Sequence, residues 1–197
     1  MDTAMRRKTL INICLRRVQP GSGSIPLPIQ WSHPKMDLNF LTRPYAIIGG
    51  VATRAYMPER TTIDLDILVH SDDRLFVHEA LQAARFTYLQ ELSIPGSAWR
   101  SPQNELLDIL ERGDSWVRGA LNSPNRQLDG SPVISLPYLI LLKLEAGRGR
   151  DIGDLTQLLA LANDADLEQI RQTIAQHLPD AVEDLESLRA IGQLEHE

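Results

Sequence analysis

The spacing of apolar residues changes character twice along this chain, and each change predicts a different kind of element. Tyr45-Ala-Ile-Ile48 is an unbroken apolar run that ends at Gly49-Gly50, which predicts a short buried strand entering a tight turn. Val51 to Tyr56 predicts a short helix, stopped by Pro58. Thr62 to Val69 then alternates strictly and predicts a strand with Ile63, Leu65, Ile67 and Val69 on one face and Asp64 and Asp66 on the other. Ser71-Asp72 caps a helix that runs to about Ala84. Phe86 to Leu92 and Glu105 to Glu111 alternate again and predict two more strands, with Ile94 to Pro102 between them as a loop. From Leu136 the period becomes helical. Leu136 to Glu145 carries Pro137 in its first turn, Gly147 and Gly149 punctuate the chain, and 151–162, 166–178 and 180–194 each place acids in the opening turn. The expected fold is mixed α/β (α+β), with a small mixed β-sheet and flanking helices over 36–135 and a C-terminal helical lobe over 136–197.

Composition narrows the function classes. The 197 residues include one cysteine, Cys14, so neither an intrachain disulfide nor a cysteine-based zinc cluster is available. No apolar run approaches the ~20 residues of a membrane-spanning helix. These features lead us to expect a cytoplasmic protein with no membrane partner. The net charge of −6 is unevenly spread. Residues 1–35 hold six Lys or Arg against Asp2 and are rich in Pro and Gly after Gln19, which predicts a flexible basic extension, with Met36 as an alternative start. Residues 151–197 hold eleven acids against Arg171 and Arg189, a poor match for a polyanion, so the sequence carries no strong nucleic-acid signal.

The chemistry centres on Asp64-Leu65-Asp66. Two carboxylates on one face of a strand repel each other and favour a cation between them, and an oxygen-only donor set suits Mg²⁺ or Mn²⁺. An exposed polar face on a half-buried strand is the plainer alternative. Asp108 lies among aliphatic residues in Leu106-Leu-Asp-Ile-Leu110, where a carboxylate is costly unless paired or liganded. If its strand neighbours that of Asp64, three carboxylates converge. Gly49-Gly50 ahead of a helix suits the approach of a phosphate to backbone N–H groups, though a plain turn would look the same. The five histidines show no metal-ligand spacing except His70 and His78, which fall on different elements; Trp99 and Trp116 read as packing rather than as base-stacking residues.

Taken together, Gly49-Gly50, Asp64-Leu65-Asp66 and the later strand acid Asp108 resemble the nucleotidyltransferase superfamily of the polymerase-β type. Arg60-Thr-Thr-Ile-Asp-Leu-Asp66 is similar to the form seen in its small bacterial members. Leu142-Lys-Leu-Glu-Ala146, followed by Arg150-Asp151 and Asp154-Leu155, resembles the helical signature of the AbiEii-type branch, which includes toxins of toxin–antitoxin systems. The resemblance covers roughly residues 40–160. It implies that Asp64, Asp66 and Asp108 hold divalent metal ions and form the catalytic set, with Asp108 also assisting as a base. It further implies that Gly49, Gly50, Arg54, Arg60 and Lys143 serve the nucleotide, Lys143 reaching the triphosphate. The implied reaction moves an NMP from an NTP to a hydroxyl acceptor on a protein, an RNA end or a small molecule. A cognate antitoxin is an implied partner. Arg85 departs from the pattern, which would place glycine before Phe86. Arg150, Asp151 and Asp154 are expected to fix their helix against the sheet. Two rival readings use the same residues: a non-catalytic protein that binds a nucleotide or a partner on the same fold, and a metal-dependent phosphodiesterase or nuclease.

Overall fold

The computed structural model describes residues 36–57, 62, 64–127 and 129–195. The expected basic extension over 1–35, the residue Arg60 and the start of the predicted strand at Ile63 lie outside the described residues. Two compact units divide at Ser135 and Leu136.

The first unit is built on a mixed sheet. In chain order its elements are β1 (Tyr45–Ile48), α1 (Gly49–Tyr56), β2 (Leu65–His70), a 3-10 turn (Ser71–Asp73), α2 (Arg74–Ala83), β3 (Thr87–Glu91), β4 (Gly96–Arg100), β5 (Leu106–Arg112), α3 (Val117–Asn122), β6 (Asn125–Arg126) and β7 (Pro132–Val133). The strands lie in the order β3-β4-β5-β2-β1-β7-β6. β2 runs antiparallel to β1 and parallel to β5, and β5 runs antiparallel to β4. β2 is therefore interior. Leu65, Ile67, Leu68, Val69 and His70 are all buried, so both of its faces are covered and only Asp66 breaks the burial. A one-residue slip at β2 would drive Asp66 into the apolar side, so the pattern fixes the register.

One expectation fails here. The segment 94–102 is not a loop, because Gly96–Arg100 forms β4 and pairs along β5 from Gly96↔Leu110 to Arg100↔Leu106. Its Gly, Ser and Ala residues have little intrinsic preference for strands, but cross-strand packing overrides that. Trp99 is buried, stacks edge-on to His78 and Tyr88, and donates its Nε1–H to Ser97 Oγ at 3.0 Å. Ser97 Oγ in turn donates to Glu111 Oε1 at 2.9 Å, and His78 Nε2 lies 2.7 Å from the same oxygen. Arg74 Nε completes the set at 2.9 Å from Glu111 Oε2. This buried network locks α2 onto the β4–β5 pair and satisfies every polar group it encloses.

The turn from α2 into β3 resolves the departure at Arg85. Phe86 N–H donates to Leu81 O at 2.9 Å and Arg85 N–H to Gln82 O at 3.0 Å, the closing bonds of a helix that ends in a left-handed residue. Arg85 occupies that position with φ 64°, a conformation that favours glycine.

The second unit is helical: α4 (Leu136–Ala146), α5 (Gly149–Leu161), α6 (Asp164–His177), a 3-10 turn (Pro179–Ala181) and α7 (Val182–Glu195). α4 is apolar nearly all round and packs against α5 and α6, while α5 packs against α7. Arg171 on α6 grips Glu186 on α7 through two bonds, 2.6 and 3.1 Å long.

Replacing Arg85 with glycine removes the left-handed penalty without touching a packed side chain. Arg85→Gly is expected to raise unfolding stability by about 1 kcal/mol, measured by chemical denaturation. A loss of stability would show that the arginine side chain contributes more than its backbone conformation costs.

Candidate active site

Pairing register builds the site. Ile48 on β1, Asp66 on β2, Asp108 on β5 and Ala98 on β4 lie directly opposite one another across four strands. Residues so paired project from the same face of the sheet, so Asp66 and Asp108 stand side by side. Asp64 precedes β2 in an unpaired bend. Burial and the negative charge of Asp64, in that order, push the Asp108 carboxyl above the ordinary carboxylate range. Asp64 therefore acts on Asp108 electrostatically, and the two belong to one cluster of acids. All three are half-buried.

The glycine pair closes one side of the cluster. Gly49 has φ 62°, and a Cβ there would collide with the Asp66 carboxylate. A Cβ on Gly50 would come within 2.6 Å of the Thr62 side chain. The two glycines thus let the start of α1 lie directly on Asp66 and Thr62. The N-cap residue Ile48 supplies no side-chain cap, so the first N–H groups of α1 present their partial positive charge beside Asp66. Thr62 carries no role in the sequence reading, although it belongs to the Arg60-to-Asp66 stretch; its contact with Gly50 is what brings it to the site.

The donor chemistry suits a hard divalent cation, since the three candidate ligands are carboxylates and one of them bears an uncompensated electrostatic load. Among the described residues, no group of three or more His, Cys, Asp or Glu encloses a ready metal position. Asp66 and Asp108 share a rung, and Asp64 stands in the bend that precedes it.

The other expected site residues are scattered differently. Arg54 is half-buried in the last turn of α1. Lys143 lies buried in the helical unit, with Nζ 2.6 Å from Asp154 Oδ2 and 3.3 Å from Asp151 Oδ1. Arg148 Nε holds the other oxygen of Asp151 at 2.7 Å. Asp151 and Asp154 thus tie α5 to α4 through Lys143. The partner expected for them from sequence was the sheet. Trp99 and Trp116 are both buried, as packing residues are, and Arg112 lies over the Trp116 ring. His70 Nδ1 accepts the Asp72 backbone N–H, and His78 belongs to the Glu111 network.

No known protein-family profile matches the chain, and no curated protein does. Some solved structures are similar to it. A crystal structure of ANT(2″)-Ia in complex with adenylyl-2″-tobramycin is 18% identical, with a TM-score of 0.44 over 78% of this chain and 89% of the other. A solution structure of the antibiotic-resistance factor ANT(2″)-Ia is also 18% identical, with a TM-score of 0.42 over 78% and 83%. A protein of H. pylori assigned as a nucleotidyltransferase is 14% identical, with a TM-score of 0.46 over 100% and 96%.

Two outcomes follow from these geometries. Because the folded state holds the Asp108 carboxyl above its unfolded value, its ionised form destabilises the fold at pH values above the folded pKa, and the penalty vanishes below the unfolded pKa near 3.8. Asp108→Asn is therefore expected to raise the melting temperature at pH 7 and to give no gain near pH 3; an equal gain at both pH values would assign the effect to packing. Lys143→Ala removes the buried ammonium shared by Asp151 and Asp154 and is expected to cost about 3–5 kcal/mol. Urea denaturation at pH 7 measures it, and a change below 1 kcal/mol would mean that the cluster relaxes into water.

Proposed function

We propose that this protein is a metal-dependent nucleotidyltransferase that moves an NMP from an NTP to a hydroxyl acceptor. The observation that carries this reading is the rung that sets Asp66 beside Asp108, with Asp64 acting on Asp108 and the glycine turn lying on Asp66. In this reading Asp64, Asp66 and Asp108 hold Mg²⁺ or Mn²⁺, whose charge offsets their mutual repulsion. When bound, the cation supplies neutralisation of phosphate charge and a lowered pKa for the acceptor hydroxyl.

The chain's own residues do the remainder. Gly49 and Gly50 let the start of α1 close onto Asp66 and Thr62, and in this reading the backbone N–H groups there meet the β- and γ-phosphates beside the acids. Arg54, and Arg60 in the segment before Thr62, are assigned to the same nucleotide. Asp108, held above the ordinary carboxylate range, is suited to take the proton from the acceptor hydroxyl. The freed oxygen attacks the α-phosphorus in line, the bond from that phosphorus to the bridging oxygen breaks, and pyrophosphate leaves with the electron pair. Most of the acceleration comes from positioning and charge stabilisation. Lys143 is assigned to the stability of the helical unit, since its ammonium already grips Asp151 and Asp154.

The test is a calorimetric titration of each Mg²⁺-bound non-hydrolysable NTP analogue into the native protein and into the Asp64→Asn/Asp66→Asn variant, alongside pyrophosphate release from NTPs. Binding that needs Mg²⁺ and is lost in the variant supports the reading. Absence of binding by all four analogues, or diester cleavage without pyrophosphate release, overturns it in favour of an interaction protein or a nuclease.

A further inference from the structure

Arg100 ends β4 on the face that carries the acids. It pairs with Leu106, and the next same-face residue along β5 is Asp108, a diagonal separation of roughly 7–8 Å that a long side chain spans. A cation so close to a crowded carboxylate would ordinarily pair with it, yet Arg100 does not. Its Nη1 donates to Asn104 Oδ1 at 3.0 Å, and among the described residues it makes no ion pair. The turn that joins β4 to β5 explains this. Asn104 sits in the left-handed region at φ 68°, its N–H donates to Ser101 O at 2.9 Å, and Ser101 Oγ accepts from the N–H groups of Gln103 and Glu105. The turn therefore holds a neutral amide where it engages the guanidinium away from Asp108. Two other arginines of this unit are paired with acids: Arg112 with Asp114 at 2.6 Å and Arg118 with Asp72 at 2.6 Å.

We propose that Arg100 is the acceptor-binding residue, and that the acceptor is a small hydroxyl compound carrying a phosphate monoester. The position of the site favours the acceptor over the nucleotide. The glycine turn follows β1, on one side of β2, whereas Arg100 stands on β4, beyond Asp108 on the other. An acceptor hydroxyl at Asp108 would bring a neighbouring phosphate within reach of the guanidinium, which pairs with phosphate through two parallel N–H bonds. The acidity of residues 36–197, with 14 bases against 25 acids, favours a small anion over a long polyanion. The assignment to the acceptor rests on the transferase reading; the anion site itself does not.

The test uses the full chain and two readouts. Glycerol 3-phosphate, ribose 5-phosphate and AMP, each beside its unphosphorylated counterpart, are titrated into native protein, Arg100→Ala and Asn104→Asp. The same compounds and short RNA oligonucleotides are then offered as acceptors with labelled NTP. At least one phosphorylated compound is expected to bind about tenfold or more tightly than its counterpart, with the preference lost in Arg100→Ala. Asn104→Asp tolerates the same backbone conformation and sets a competing carboxylate on the arginine. It is expected to weaken the phosphorylated compound while leaving thermal stability unchanged or higher, which a purely structural role for Arg100 would not do. In turnover, Arg100→Ala should raise acceptor KM and spare nucleotide affinity. If Mg²⁺·NTP binding persists but no phosphorylated compound senses Arg100, or if RNA alone serves as acceptor, this proposal fails and the transferase reading stands. If phosphorylated compounds bind through Arg100 but NTP does not bind, the anion site stands and its assignment to an acceptor fails.

Discussion

The strand pairing that sets Asp66 beside Asp108, where burial and the charge of Asp64 already bear on Asp108, is the constraint on which the first unit turns. Asp66 and Asp108 are set side by side by hydrogen bonding between β2 and β5, and that pairing extends from Leu65↔Leu107 to His70↔Arg112. The register cannot relax to separate them, because a shift of one residue would carry Asp66 to the side where Ile67 and Val69 are buried. Apolar burial on the opposite face thus holds together charges that would otherwise move apart. The cost appears at Asp108, where burial and the charge of Asp64 raise the affinity for a proton. A group poised in this way resists ionisation and, for the same reason, accepts a proton from a neighbouring hydroxyl more readily than an ordinary carboxylate does.

What surrounds the acids is arranged around this difficulty. The start of α1 lies on Asp66 because neither residue of the glycine pair carries a side chain, and Gly49 also takes the left-handed backbone that a side chain would disfavour. Behind the sheet, the network of Glu111, His78, Ser97 and Arg74 clamps α2 to β4 and β5, three residues from Asp108. The clamp's polar groups are engaged with one another, and Arg74 also with Glu91 at 2.6 Å. Functional and structural charges are therefore sorted onto opposite faces of one strand, with Asp108 on one and Glu111 on the other. Single-residue alternation along β5 makes the sorting possible.

Much of this was legible in the sequence. β1, the glycine turn and the alternation from Leu65 to Val69 are local patterns that burial enforces, whereas Asp64, expected on the same strand as Asp66, stands in a bend just before it. β4 was not legible, since Gly96, Ser97 and Ala98 have small side chains that gain from a strand only once Leu107 and Ile109 are beside them. Missing β4 also hid Arg100, which as a loop residue would have no fixed relation to Asp108. Helix α3 was missed because its six residues are too few to show a period. At Lys143 the helical spacing was read correctly and the partners were not: the acids eight and eleven residues ahead are brought to it only when α5 folds back on α4.

The same contrast separates Lys143 from Arg100. Lys143 is buried and held by two acids, so its charge is satisfied by the helical unit itself. Arg100 is exposed, stands on the strand face that carries Asp108 and is held by a neutral amide, so no carboxylate competes for its charge. A buried ion pair gains little by exchanging a carboxylate for a phosphate, because removing one partner strands the other in a poorly solvated site. An arginine engaged by a neutral group exchanges it for a phosphate with a gain in charge pairing and no stranded acid. Availability of charge, rather than its presence in a recognisable sequence context, is therefore the criterion that sets Arg100 apart from Lys143.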